Sequence, residues 1–213
     1  MPVKNTVREF EENGIYHVYN RGLNKSEIFR DSDDYRTFLY YLASYLLPLN
    51  KALTKYPDLP ARLYSKNLSS DVELLVFCLM PNHFHLLLKT KTKSGISQLV
   101  KQLTNAYLTY FNKKYGREGP IMQGVYKCVA VKDQLINLSR YIHLNPTTAF
   151  LVNNPKDYKW SSYNEYLQNQ SEICNLDIIM SQFLSWDSWK KFMADQKDYS
   201  KSLILIQQLT LES

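Results

Sequence analysis

Acidic residues are all but missing from one long stretch of this 213-residue chain. Between Lys89 and Lys132, nine basic residues (Lys89, Lys91, Lys93, Lys101, Lys113, Lys114, Arg117, Lys127 and Lys132) face a single acid, Glu118. That block carries +8 in a chain whose total is +6, so the remainder is slightly acidic. A basic block in a near-neutral frame is either the footprint of a polyanion site or a solvated lysine-rich face. Cysteine is also sparse. Cys78, Cys128 and Cys174 show no paired spacing, which argues against a disulfide framework and against a cysteine zinc site. No apolar run approaches the length of a membrane span. Met1–Asn13 is charged and polar, unlike a signal peptide. The expectation is a soluble, cytoplasmic protein with no membrane partner. Internal repeats and low-complexity segments are missing too. What the chain has in quantity is tyrosine, seventeen in all. Many of these must lie on surfaces, where a flat ring with a hydroxyl suits bases and backbone. An apolar content of 45% supplies a real core for one sizeable domain, with or without an appendage.

Ile15–Gly22 alternates like a strand, with Asn20 and Arg21 at its exit. Arg21 there either clamps a phosphate or caps the sheet edge, and His17 is expected to pack or hydrogen-bond rather than ligate. Asp31–Asp34 offers a helix cap and first-turn acids. Apolar residues at helical spacing then predict a helix over 32–47. Pro48–Ser70 reads as an insertion or loop with a short helix at most. Two strands, Glu73–Cys78 and Phe84–Lys89, pair through a turn at Met80–Asn82. Ser94–Tyr115 reads as a long helix with Ser94 as a cap and Gly116 as the stop. Gly119–Gly124 is a loop, Val125–Val131 a last strand, and Asp133–Asn145 a third helix stopped by Pro146. The first six elements give a split β-α-β pattern. The predicted fold is therefore α+β, a ferredoxin-like antiparallel sheet with helices on one face, plus a helical C-terminal extension. Trp160–Tyr163 opens a short helix. The tail holds candidate helices near Leu176–Phe183, Ser185–Gln196 and Ser200–Leu211, with Trp186 and Trp189 as anchors. The expected boundary divides residues 1–168 from 169–213.

Two short motifs carry chemistry. In a strand, residues two apart share a face, so His83 and His85 project together while Phe84 turns into the core. Two neighbouring imidazoles can grip one divalent metal, or they can be satisfied histidines at a strand end. In the third helix, about 100° per residue brings the side chain four positions on back to nearly the same face. Tyr141 and Asn145 therefore point together, while His143, about 200° round from Tyr141, does not join them. A tyrosine and an amide one turn apart are also what ordinary packing and a C-terminal cap produce.

Taken jointly, Cys78–Leu87 (CLMPNHFHLL) and Tyr141–Pro146 (YIHLNP) resemble the single-tyrosine HUH transposases, and within them the REP-associated tyrosine transposase branch. Tyr16–Val18, Asn20–Gly22, Met122–Gly124 and Trp160–Tyr163 match that branch as well. The resemblance runs from about Tyr16 to Leu167 and leaves the tail unexplained. One departure is Val125, where the family usually carries a basic residue after its Gln-Gly pair. One expected phosphate contact is thereby lost, with Lys127 nearby.

The resemblance implies a DNA strand transferase. His83, His85 and Asn145 would hold magnesium or manganese, and Tyr141 would be the nucleophile that forms a 5′-phosphotyrosine link. Two histidines and an amide form a neutral site with no thiolate or carboxylate pair nearby. That suits a hard, exchangeable ion shared with substrate phosphate better than a structural zinc. The substrate would be single-stranded DNA bearing imperfect hairpins. Arg21, Lys101, Lys113, Lys114, Arg117 and Lys127 are the expected DNA contacts. A monomer is favoured over a homodimer, because that branch tends toward monomers. Two other readings compete. One is a non-catalytic single-stranded nucleic-acid-binding module on a ferredoxin-like sheet, and the other is a metal-dependent phosphodiesterase that uses water.

Overall fold

A computed structural model of the chain describes residues 9–195 together with Tyr199 and Leu203. Four strands form one sheet: β1 (Ile15–Arg21), β2 (Val72–Met80), β3 (His83–Thr90) and β4 (Lys127–Ala130). The order is β2-β3-β1-β4 and every pairing is antiparallel. This is the order that a split β-α-β unit generates when the third strand returns between the first two. The helices are α1 (Ser32–Leu46), α2 (Leu49–Lys55), α3 (Gly95–Tyr115), α4 (Leu135–Thr148), α5 (Tyr163–Leu167), α6 (Asp177–Met180) and α7 (Trp186–Ala194). Among the described residues no helix is long and apolar enough to cross a membrane.

Local chemistry accounts for the main boundaries. The Asp31 carboxylate accepts hydrogen bonds from the backbone amides of Asp33 and Asp34, which caps α1. Gly116 ends α3 in the left-handed region at φ 58°, where a residue without a Cβ is least strained. Gly22, just past β1, has no room for a side chain. A Cβ there would lie 1.9 Å from the carbonyl oxygen of Ser26. The Asn20–Arg21–Gly22 exit is thus pressed against its own following turn.

Alternation divides the sheet into two faces. Phe84 is fully buried and its ring meets Phe38 of α1 at 5.3 Å. Tyr107 of α3 packs edge-on to the same Phe38. The two helices of the β-α-β unit thus share one face of the sheet. α4, which follows that unit, lies over the other face, where Tyr141 meets His85.

Several elements depart from the sequence expectation. α4 does not stop at Pro146 but runs to Thr148 with the proline inside. A proline so near the end removes one amide from the last turn only, and the turn then closes with Leu151 N donating to Pro146 O. β4 is shorter than Val125–Val131, with Val125 and Tyr126 outside the strand. Pro48–Ser70 contains the whole of α2 and a 3-10 turn at Ala61–Lys66. Ser94 precedes α3 but makes no side-chain cap bond. The candidate helix at Ser200–Leu211 lies outside the described residues except for Leu203.

The outer edge of β2 is not left open. Leu79 N donates to Trp160 O, Ser162 N to Phe77 O and Asn175 N to Leu74 O. Covering an edge in this way removes a template for wrong pairing. The same segment leads into α7, whose Trp189 is fully buried against Tyr163, Tyr166 and His143. Trp189 is therefore an anchor, as its sequence context suggested. Trp189→Ala should lower the unfolding free energy by about 3–5 kcal/mol, the range for losing a buried large aromatic. Urea denaturation measures this directly, and a change below 1 kcal/mol would mean that α7 does not belong to the core.

Candidate active site

The site forms where β1, β3 and α4 meet. His83 and His85 lie on the α4 face of β3, opposite Arg21 and Tyr19 of β1 respectively. Their ring centroids are 4.9 Å apart at 90°. One turn of α4 brings down two side chains from above. The Tyr141 ring stands edge-on to His85 at 5.7 Å. Asn145 places its Nδ2 3.4 Å from His85 Nε2. The two strand histidines, the tyrosine and the asparagine expected from sequence are thus brought together within one chain.

The second nitrogen of each imidazole is already engaged. His83 Nδ1 lies 2.6 Å from Asn82 Oδ1. Asn82 Nδ2 donates to Lys25 O, which fixes the amide so that its oxygen faces the ring. His83 therefore donates from Nδ1 and keeps a lone pair on Nε2. His85 Nδ1 lies 2.9 Å from His17 Nε2. His17 does hydrogen-bond rather than join the ligand pair, and it is fully buried.

Burial is the main cause of the electrostatics. It pushes the His83 imidazole down to about 4, opposed by the Asn145 bond and reinforced by the Arg21 charge. His85 is held well below the ordinary histidine range by burial and then by His83 and His17. Both rings are neutral at physiological pH and keep lone pairs available. Among the described residues no three His, Cys, Asp or Glu side chains converge on one point. A third protein ligand beside these two imidazoles would have to be the Asn145 amide.

His143 stays out of the site, as helical geometry requires. It lies on the opposite side of α4, with Nε2 2.9 Å from Ser162 Oγ and the ring among Tyr163, Tyr166 and Trp189. Burial holds it down to about 3.

The expected DNA contacts divide. Arg21 sits at the rim of the site, its Nε donating to Gln123 Oε1 at 2.9 Å. The loop that carries Gln123 is tied there by Gln123 N donating to Arg21 O and by a bridge between Gly22 and Met122. Lys127 of β4 pairs with Tyr19 and so shares the site's face. Lys101, Lys113 and Arg117 belong to α3 and its C-terminal turn, over the other face of the sheet. Lys101 lines a surface groove of about 460 Å³ with Lys66, Gln98 and Thr109. Lys114 requires a correction. Its ammonium is bound to Asp31 at 2.7 Å and to the fully buried Asp34 at 2.8 Å, so it serves as an internal counter-ion. Sequence reading missed this because both acids lie some eighty residues upstream.

An α+β ferredoxin-like chain with two strand histidines facing a helical tyrosine and asparagine defines the class. Residues 55–145 match the family model described as Transposase IS200 like. That span includes His83, His85, Tyr141 and Asn145. Residues 55–145 are therefore similar to an IS200-like transposase domain. A solved structure of the REP-associated tyrosine transposase bound to a REP hairpin superposes with a TM-score of 0.55 at 13% identity, covering 82% of this chain and 90% of that one. At this identity the likeness establishes the fold. A crystal structure from Deinococcus radiodurans R1, named for a transposase, gives 0.37 at 16% identity over 67% of this chain and 95% of that one, and adds nothing to the fold assignment. No curated protein matches the chain.

The buried histidines predict an early acid transition. An unfolded histidine takes up a proton near pH 6.5, whereas His143 in the folded chain resists it down to about 3. Between those values the unfolded state binds more protons, so stability falls as pH falls. From pH 7 to pH 5, His143 alone should account for about 2 kcal/mol of lost stability. His143→Gln, which retains a partner for Ser162, should reduce that loss by the same amount in urea titrations at the two pH values.

Proposed function

We propose that this chain cuts and rejoins single-stranded DNA through a covalent phosphotyrosine link. The observation that carries this reading is the Tyr141 ring against His85 at 5.7 Å, with Asn145 Nδ2 of the next helix turn 3.4 Å from His85 Nε2. A phosphodiester resists attack because it is anionic and its alkoxide leaves poorly. His83 Nε2, His85 Nε2 and the Asn145 amide present an uncharged donor set, which fits a hard divalent ion such as magnesium or manganese held jointly with substrate phosphate. When bound, such an ion supplies charge neutralisation at the non-bridging phosphate oxygens.

The protein residues do the rest. Tyr141 attacks phosphorus through its phenolic oxygen. The bond from phosphorus to the 3′ oxygen breaks, and the departing strand leaves with a free 3′-hydroxyl. The DNA 5′ phosphate stays on Tyr141. Attack by another 3′-hydroxyl reverses the step, returns the phenol and joins a new strand. The bond energy is conserved in the link, so cutting and joining are one chemistry run twice. Because Tyr141 and both histidines meet within one polypeptide, each chain can complete a site by itself, which favours a monomer over a tyrosine-exchanging dimer.

Arg21 and Lys127, on the site's face, would hold the scissile strand. Lys101, Lys113 and Arg117, on α3 and just beyond it, would hold a more distant segment such as a hairpin stem. The hairpin substrate is supported by the REP hairpin in the structurally similar transposase. We also assign the catalytic unit to residues 1–168 and read 169–213, which includes α6 and α7, as its extension.

Tyr141→Phe should abolish the covalent adduct with hairpin-bearing single-stranded DNA, read by denaturing gel with manganese present, and leave binding within about threefold. Cleavage that survives the substitution would instead indicate a water-using phosphodiesterase. Binding by wild type with no adduct under any metal would indicate a non-catalytic binding module. Among the basic residues, Lys101→Ala and Lys113→Ala should each reduce the slope of log affinity against log salt by about 0.7–0.9. Lys114→Ala should leave that slope unchanged and lower the unfolding midpoint, because Asp34 loses its ammonium.

A further inference from the structure

His17 has no assigned part in the chemistry, yet it is fully buried and its Nε2 lies against the far nitrogen of His85, Nδ1. Two rings whose facing nitrogens lie 2.9 Å apart share a single hydrogen between them. Either His85 Nδ1 carries it and donates to His17 Nε2, or His17 Nε2 carries it and donates to His85 Nδ1. The choice decides what His85 presents on its other side. In the first case His85 Nε2 has a lone pair facing Asn145. In the second it bears an N–H there and cannot bind a cation.

Neighbouring groups discriminate between the two. His85 Nε2 lies 3.4 Å from Asn145 Nδ2, which is an amino group and can only donate. An N–H on His85 Nε2 would set two donors against each other in a buried site. The stacking of the His17 ring on His85, at 5.1 Å and 17°, and on Tyr19 at 4.7 Å, holds the acceptor nitrogen in position.

We propose that His17 is a positioning residue whose Nε2 accepts the His85 Nδ1 hydrogen and so fixes His85 with its Nε2 lone pair turned toward Asn145 and Tyr141. The proposal deepens the metal-assisted reading of the site. An outer partner of this kind sets both the tautomer and the orientation of a ligating histidine.

The test uses the full-length chain without metal, labelled with ¹⁵N, and a long-range ¹H–¹⁵N correlation spectrum that reports which ring nitrogen bears hydrogen. Wild type should show His85 hydrogenated at Nδ1. His17→Gln, whose side-chain oxygen can still accept, should keep that signature, and His17→Leu should shift His85 toward Nε2–H. A wild-type His85 hydrogenated at Nε2, or an unchanged tautomer in His17→Leu, overturns the proposal. Should His17→Leu fail to fold, the wild-type and His17→Gln spectra still decide the matter. A parallel titration with manganese alone, followed by water-proton relaxation, should show affinity about 10–100-fold weaker in His17→Leu and recovered in His17→Gln. No manganese binding by wild type would overturn the metal-assisted reading, and the spectra would still report separately on what His17 does to His85.

Discussion

The structure depends on burying a group of imidazoles between the sheet and a helix. Strand alternation sends Phe84 into the α1–α3 core and leaves His17, His83 and His85 on the opposite face. That face must be covered, because a sheet of this size cannot leave both sides wet and keep a single register. α4 covers it, and burial then holds the His83 and His85 imidazoles neutral, well below the ordinary histidine range. A buried polar group without a partner is costly. The rings are therefore satisfied on one nitrogen each, by Asn82 and by His17, and the remaining nitrogens turn toward Asn145. The result is a set of donors aimed at one place, held by the same packing that stabilises the sheet.

The elements beyond the split β-α-β unit maintain that arrangement. The edge of β2 is sealed by backbone bonds from residues 160–162 and from Asn175, and Tyr158 and Tyr166 add hydroxyl bonds to Leu79 O and Leu75 O. α7 continues the same layer. Arg140 of α4 is fully buried with its guanidinium 3.9 Å from the centre of the Phe192 ring, and its Nη1 donates to Phe192 O. α7 is therefore packed onto the helix that carries Tyr141.

Much of this was legible in the sequence, and the part that was not has a physical reason. A period of two in His83–Phe84–His85 and a spacing of four between Tyr141 and Asn145 are local rules, and both held because strand and helix geometry leave no alternative. The Asp31 cap and the Gly116 stop held for the same reason. Non-local pairings were different. Lys114 looked like part of a basic surface because its partners, Asp31 and Asp34, come from another helix. The expectation that His17 would hydrogen-bond was sound, but its partner, 68 positions away, followed only from the β1–β3 register. Pro146 was read as a terminator, although a proline in a last turn breaks little. The Val125–Val131 pattern overran β4 because alternation does not report where a partner strand ends.

One turn of α4 meets two separate demands. Tyr141 and Asn145 face the histidines of the sheet, while Arg140 and His143 are committed to α7, Ser162 and the aromatic cluster around Trp189. His143 lies about 200° round from Tyr141 and Arg140 about 100° the other way from it, so the two sets leave the helix on different sides and can be fixed independently. In the proposed reaction the nucleophile must attack, remain bonded to DNA and then be released by a second attack without losing its place opposite His83 and His85. A helix packed on one side only could tilt when the link forms. A helix clamped between a sheet and a buried arginine–aromatic layer can hold the phenol in the same place before and after, as a step run in both directions through one site requires.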